Sequence, residues 1–236
     1  MRPKDQDAQE KAVCSVHWNV AGDKLLTSSS DMVARVWQVT SDGEVEILRA
    51  KNFDEYLMQS KFCEEADNLI ATGGIMSKIH VWDCASAECD EVACFDHSVI
   101  DPNFKGLEIE WQNNKQVAVA GKSKFIYLWS VEHPSAPQVK WEGHQDCVEQ
   151  IQWDPHKRLL ASCGNENFVY IWSPEKGTPE LQLKKPGESA VLAIKWSNSC
   201  GGEDPMLAAG CKDGQILIYN VKLGTVCMKL DANDQE

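Results

Sequence analysis

Tryptophan recurs in this chain in two interleaved series with a shared period, and that recurrence limits the fold more than any other feature. Eight of the nine tryptophans among 236 residues belong to the two series. One series closes short apolar runs at Trp18, Trp111, Trp153 and Trp196, with Phe62 in the missing place, at spacings of 44, 49, 42 and 43. The other runs Trp37, Trp82, Trp129 and Trp172 and continues at Tyr219, at spacings of 45, 47, 43 and 47. Two independent markers with one period of about 45 residues mean five internal repeats.

Each repeat keeps one internal order. An apolar run ends in the first aromatic, a polar turn follows, and then comes a strand of small residues such as Leu159-Leu160-Ala161-Ser162. After a second turn comes a β-branched and aromatic strand such as Phe168-Val169-Tyr170-Ile171-Trp172, and a weaker fourth strand such as Pro137–Trp141 or Thr225–Leu230 leads onward. Short strands with turns every 8–12 residues form an all-β pattern, and no stretch holds a helical period. Four strands per unit at this period are what a β-propeller blade requires, so the tryptophans are read as core residues. The expected domain is a single propeller over residues 1–236, with blades near 10–51, 52–97, 98–143, 144–187 and 188–230.

Composition removes several alternatives. Thirty-six acidic against 23 basic side chains give a formal net charge of -13, which repels phosphate backbones and argues against direct nucleic-acid binding. No apolar run approaches the roughly 18 residues of a membrane span and Met1–Glu10 is polar, so neither a signal peptide nor a membrane helix is expected. Ten cysteines without such a signal read as reduced intracellular thiols. None forms a Cys-x-x-Cys pair. The group Cys84, Cys89, Cys94 and His97 is read as core residues rather than a zinc site, because Cys89 and Cys94 in an extended stretch point to opposite faces. No metal and no cofactor are expected.

The repeats resemble the WD-repeat family. Gly143-His144, Ser162 and Trp172 occupy places of that family's His–Ser–Asp–Trp tetrad, with Glu166 at the acid position. Asp31 and Asp213 keep the acid, while Met76 and Ser123 replace it, so the resemblance implies blades held mainly by apolar packing. Within the family the chain resembles the transducin β-like proteins of histone-deacetylase corepressor complexes. That likeness rests on Ile151-Gln152-Trp153-Asp154-Pro155, Leu159–Cys163, Ile171-Trp172-Ser173 and Ala193–Ser197 followed by a long turn with Pro205. Asp23–Trp37 and Asp96-His97-Ser98 also fit. The subfamily's N-terminal oligomerisation segment has no counterpart in Met1–Lys11. The family closes its ring with seven or eight blades, so the five seen here are expected to be part of a larger ring or of one completed by a partner, the alternative being a ring that closes with five blades. Asp234-Gln235-Glu236 reads as the lead-in to a further repeat.

Catalysis finds no support. The six histidines lack a motif-spaced nucleophile, and no phosphate loop or metalloprotease helix is present. A non-catalytic protein-binding scaffold is the expected function, with loops gathered at one channel mouth. The family's contact positions map onto Ser30, Ile75, Lys122, Asn165 and Lys212, and onto Cys14, Met58, Leu107, Glu149 and Leu192, with Tyr56 and Lys105 two places earlier. This apolar floor with a charged rim suits a peptide or partner helix. The resemblance implies corepressor or deacetylase subunits, histone tails or transcription factors as partners, and a nuclear location. The alternative is a structural subunit of a ribosomal, nuclear-pore or coat-like assembly, with a cytoplasmic location.

Overall fold

A computed structural model describes residues 12–198 and 206–231. The turn around Pro205, Met1–Lys11 and Asp234–Glu236 lie outside the described residues. Every regular element among those described is a strand, and all pairings are antiparallel. The first sheet orders β1 (Val13–Trp18), β2 (Lys24–Ser29), β3 (Val33–Val39) and β4 (Val45–Asn52). The second holds β5 (Leu57–Cys63), β6 (Ala66–Gly74), β7 (Lys78–Asp83) and β8 (Glu91–Asp96). The third holds β9 (Gly106–Asn113), β10 (Gln116–Gly121), β11 (Phe125–Ser130) and β12 (Val139–Glu142). The fourth holds β13 (Val148–Trp153), β14 (Leu160–Gly164), β15 (Phe168–Trp172) and β16 (Leu181–Lys184). The fifth holds β17 (Val191–Trp196), β18 (Met206–Cys211), β19 (Gln215–Asn220) and β20 (Thr225–Asp231), joined to the fourth by the Gly164–Val191 bridge. Each sheet is thus a meander of four strands in chain order.

The chain divides into two compact units. The first runs to Val117 and takes back Trp129–Ala136; the second comprises Ala118–Leu128 and the chain from Pro137. In the first, Leu26, Ala34 and Val36 pack with Leu57, Phe62, Ile70 and Trp82. In the second, Ala161, Val169, Ile171 and Leu183 of the fourth sheet meet Ile194, Trp196, Leu217 and Tyr219 of the fifth. Burying one such tryptophan removes about 150–250 Å² from water, worth roughly 4–6 kcal/mol before entropy is charged against it. The second strands β10 and β14 are buried on both faces, which is why they read as unbroken small and apolar runs rather than alternating ones.

First strands meet their neighbours through a polar seam. The Gln150 and Gln152 side-chain oxygens accept the Ile194 and Trp196 amides at 2.7 and 2.9 Å, and Trp196 Nε1 donates to the Gln152 carbonyl at 3.0 Å. In the first unit Ser15 accepts from the Ser60 amide at 3.0 Å, and Trp111 Nε1 donates to the Lys61 carbonyl at 3.1 Å. Trp111 and Trp196 therefore face the preceding sheet. Trp18 is the departure from a wholly buried set: it is 51 % exposed, because the second sheet packs on the Ser15 and His17 side of β1 and Trp18 points the other way.

Candidate functional site

The expected contact positions are placed by a repeated irregularity. In the first sheet the ladder slips between Val13 and Ser15, in the second between Leu57 and Gln59, in the fourth between Val148 and Gln150, and in the fifth between Val191 and Ala193. The extra residue in each case is Cys14, Met58, Glu149 or Leu192. A β-bulge leaves that residue out of the ladder and re-aims its side chain. All four are solvent-exposed, whereas Leu57, Val148 and Val191 just before three of them are buried. The backbone then ties the second set to the first. Ser30 N–H donates to Ala12 O at 2.9 Å, Ile75 N–H to Tyr56 O at 3.2 Å, and Lys212 N–H to Ala190 O at 2.9 Å.

In the first unit this places Cys14, Ser30, Met58, Ile75 and Tyr56 at one end of the two neighbouring sheets, with Lys105 half-buried just ahead of β9. Tyr56, Met58 and Ile75 are exposed there together with Met76, giving an apolar surface. The Leu107 side chain lies outside the described residues. In the second unit Glu149 and Asn165 meet directly, Asn165 Nδ2 donating to Glu149 Oε1 at 3.2 Å. Leu192 and Lys212 stand at the same end of the adjoining sheet, and Lys122 precedes Ser123, whose carbonyl accepts the Val148 amide at 3.1 Å. That surface is mixed: three charged side chains, an amide and one leucine.

Behind these loops the sheets do not all anchor their third-strand aromatic in the same way. In the fourth, Trp172 Nε1 donates to Ser162 Oγ at 2.7 Å, Ser162 Oγ lies 2.6 Å from His144 Nε2, and His144 Nδ1 lies 2.7 Å from Glu166 Oε1. Burial works to raise the Glu166 carboxyl, but the hydrogen bonds from His144 and the Gln145 amide outweigh it and hold it below the usual range. Trp37 and Trp82 instead donate to Thr27 and Thr72, each at 2.9 Å. Trp129 has Val119, without a hydroxyl, ten residues before it, and His97 accepts from Trp129 Nε1 at 2.9 Å while stacking on Phe104. Burial pushes His97 down to about 4. Asp31 pairs with Arg35 and Asp213 with the buried Lys185, each at 2.8 Å. Apolar packing is therefore joined by a polar anchor in four of the five sheets. The sequence marks His97 as core but not as the anchor of Trp129, because it lies fourteen residues before Trp111, against nine from His144 to Trp153, and no glycine precedes it.

The nine described cysteines are free thiols. Cys84 and Cys89 belong to the apolar cluster of the first unit and His97 to Trp129, so the four-residue group does not converge. Cys89 precedes β8, with φ 53°, rather than lying in an extended strand. Among the described residues no helix is long and apolar enough to cross a membrane.

Comparison with known proteins agrees with this architecture. The family described as "WD domain, G-beta repeat" matches residues 4–38 and 135–173. Those two segments are WD repeats. It is 29 % identical to the WD40 repeat-containing protein HOS15 of Arabidopsis thaliana, over 92 % of this chain and 34 % of that protein. The F-box-like/WD repeat-containing protein TBL1X of Homo sapiens is 29 % identical over 64 % of this chain and 24 % of its own length. THO complex subunit 3 of Arabidopsis thaliana is 25 % identical over 48 % of this chain and 36 % of its own. The chain thus spans about a quarter to a third of the length of these curated relatives.

Proposed function

We propose that the chain is a non-catalytic protein-binding scaffold and a subunit of a nuclear histone-deacetylase corepressor complex. The observation that carries the scaffold reading is the recurring bulge, which presents Cys14, Met58, Glu149 and Leu192 outside the ladder beside Ser30, Ile75, Asn165 and Lys212. Exposed apolar side chains held by rigid strands fit a partner peptide or helix; the acidic balance of the chain disfavours nucleic acid. The corepressor reading rests on the likeness to transducin β-like proteins and on similarity to TBL1X and HOS15. Similarity to a THO complex subunit favours a second reading, a structural subunit of another assembly.

Affinity purification of the tagged chain separates them. Recovery of a deacetylase with a long disordered corepressor supports the first; recovery of ribosomal, nuclear-pore or coat proteins in their place overturns it. Met58→Glu with Ile75→Glu should reduce recovery at least about tenfold, a loss of roughly 1.4 kcal/mol or more, with the melt unchanged because both side chains are exposed.

A further inference from the structure

The second sheet carries a side-chain group that the repeat does not account for. Two residues before the third-strand aromatic, the other sheets pair Arg35 with Ala50, Tyr127 with Lys140, Tyr170 with Gln182 and Leu217 with Lys229 across to the fourth strand. Here the pair is His80 with Cys94. Directly opposed residues project from the same face of a sheet. The ladder then slips next to Trp82, and Glu91 reaches back to the imidazole. His80 Nδ1 lies 2.7 Å from Glu91 Oε2. One donor atom each from His80, Glu91 and Cys94 lies within 4.8 Å of the other two.

The far side of the imidazole is also prepared. His80 Nε2 is buried without a hydrogen-bond partner and lies 3.8 Å from Glu55 Oε1. The Glu55 side chain is only 1 % exposed, and its other oxygen is fixed by the Met76 amide at 2.7 Å. Phe53 packs against the ring at 5.2 Å. One imidazole thus stands between two carboxylates, with a thiol beside it.

We propose that His80, Glu91 and Cys94 bind a zinc-class divalent cation, with Glu55 orienting the imidazole from behind. Nitrogen, thiolate sulfur and carboxylate oxygen are the donors such an ion takes. A ligating histidine characteristically turns its second ring nitrogen to a carboxylate, and Glu55 stands at that place. Donors around a tetrahedral ion at about 2.0–2.3 Å stand roughly 3.3–3.8 Å apart, so the group must adjust by about 1 Å. Glu91 is the exposed member, with its side chain 45 % accessible, and leaves the fourth position open to water. Ion pairing of His80 with Glu91 and Glu55 accounts for three of the four residues but gives Cys94 no part.

The test is to strip the purified full chain of metal and titrate it with Co²⁺. The expected result is one equivalent bound with a tetrahedral visible spectrum and a sulfur-to-cobalt charge-transfer band, both displaced by Zn²⁺. Cys94→Ala should abolish the charge-transfer band and His80→Gln weaken binding at least about tenfold, while Cys227→Ala leaves both unchanged. Cys94→Val replaces the alanine variant if that one does not fold. Absence of the band in the parent protein, or its persistence without Cys94, overturns the proposal.

Discussion

Ser162→Ala tests whether the buried chain of hydrogen bonds in the fourth sheet stabilises the protein. His144 Nδ1 faces the Glu166 carboxylate, which places the ring proton there and leaves Nε2 as an acceptor. The Ser162 hydroxyl therefore donates to His144 and accepts from Trp172. All three side chains are buried, so alanine orphans one indole N–H and one ring nitrogen. Each orphan costs about 1–3 kcal/mol, which gives roughly 2–6 kcal/mol against the ~5–15 kcal/mol of a whole domain. At a urea m-value of about 2 kcal/mol/M the midpoint falls by roughly 1–3 M. Urea unfolding followed by tryptophan fluorescence reads the total, and hydrogen exchange of β14 and β15 shows whether the loss is local, since repeats can open separately. His144→Ala should then cost less in the Ser162→Ala background than alone. A midpoint shift below about 0.3 M, or strict additivity of the two substitutions, would refute the reasoning.

The anchor in the third sheet titrates. Burial holds His97 at about 4 against ~6.5 unfolded, so the unfolded chain binds more protons between those values. Its contribution is whole above pH ~6.5 and declines as the pH falls toward 4, by up to about 2 kcal/mol between pH 7 and 5; His97→Asn should flatten that part of a stability-versus-pH curve. Gly164→Ala puts a Cβ 2.2 Å from the Cys147 carbonyl, and a thermal melt should show a loss of about 1–3 kcal/mol, whereas Gly210→Ala, whose nearest neighbour is 3.6 Å away, should change little. Lys185 holds the Asp213 carboxyl below its usual range, so an NMR titration of Lys185→Met should find Asp213 back near ordinary carboxylates.

The sheets were readable because each strand class carries its own chemistry: small residues in β10 and β14, aromatics closing β13 and β15. The anchors were less so. Ser162 and Trp172 recur at a fixed offset, but His97 reaches Trp129 from a loop of different length, where spacing carries no signal. The bulges at Met58 and Glu149 leave no mark in composition, because an extra residue is defined only by what lies opposite it. His80 and Cys94 are fourteen residues apart and become neighbours only through the β7–β8 register. Proximity in the chain groups Cys94 with Cys84, Cys89 and His97, of which apolar packing claims the first two and Trp129 the histidine, and it leaves out His80 and Glu91. Trp18 reads like its counterparts in sequence; its exposure depends on which side of β1 another sheet covers.

The slipped residues also separate two demands that usually conflict. Leu57, Val148 and Val191 hold the start of their strands in the core, and the very next side chain is released from that duty. A change at Met58, Glu149 or Leu192 therefore alters what the surface offers without disturbing the packing one residue away. Such positions tolerate wholesale chemical replacement, and partner choice can drift or be re-engineered there while the scaffold stays the same.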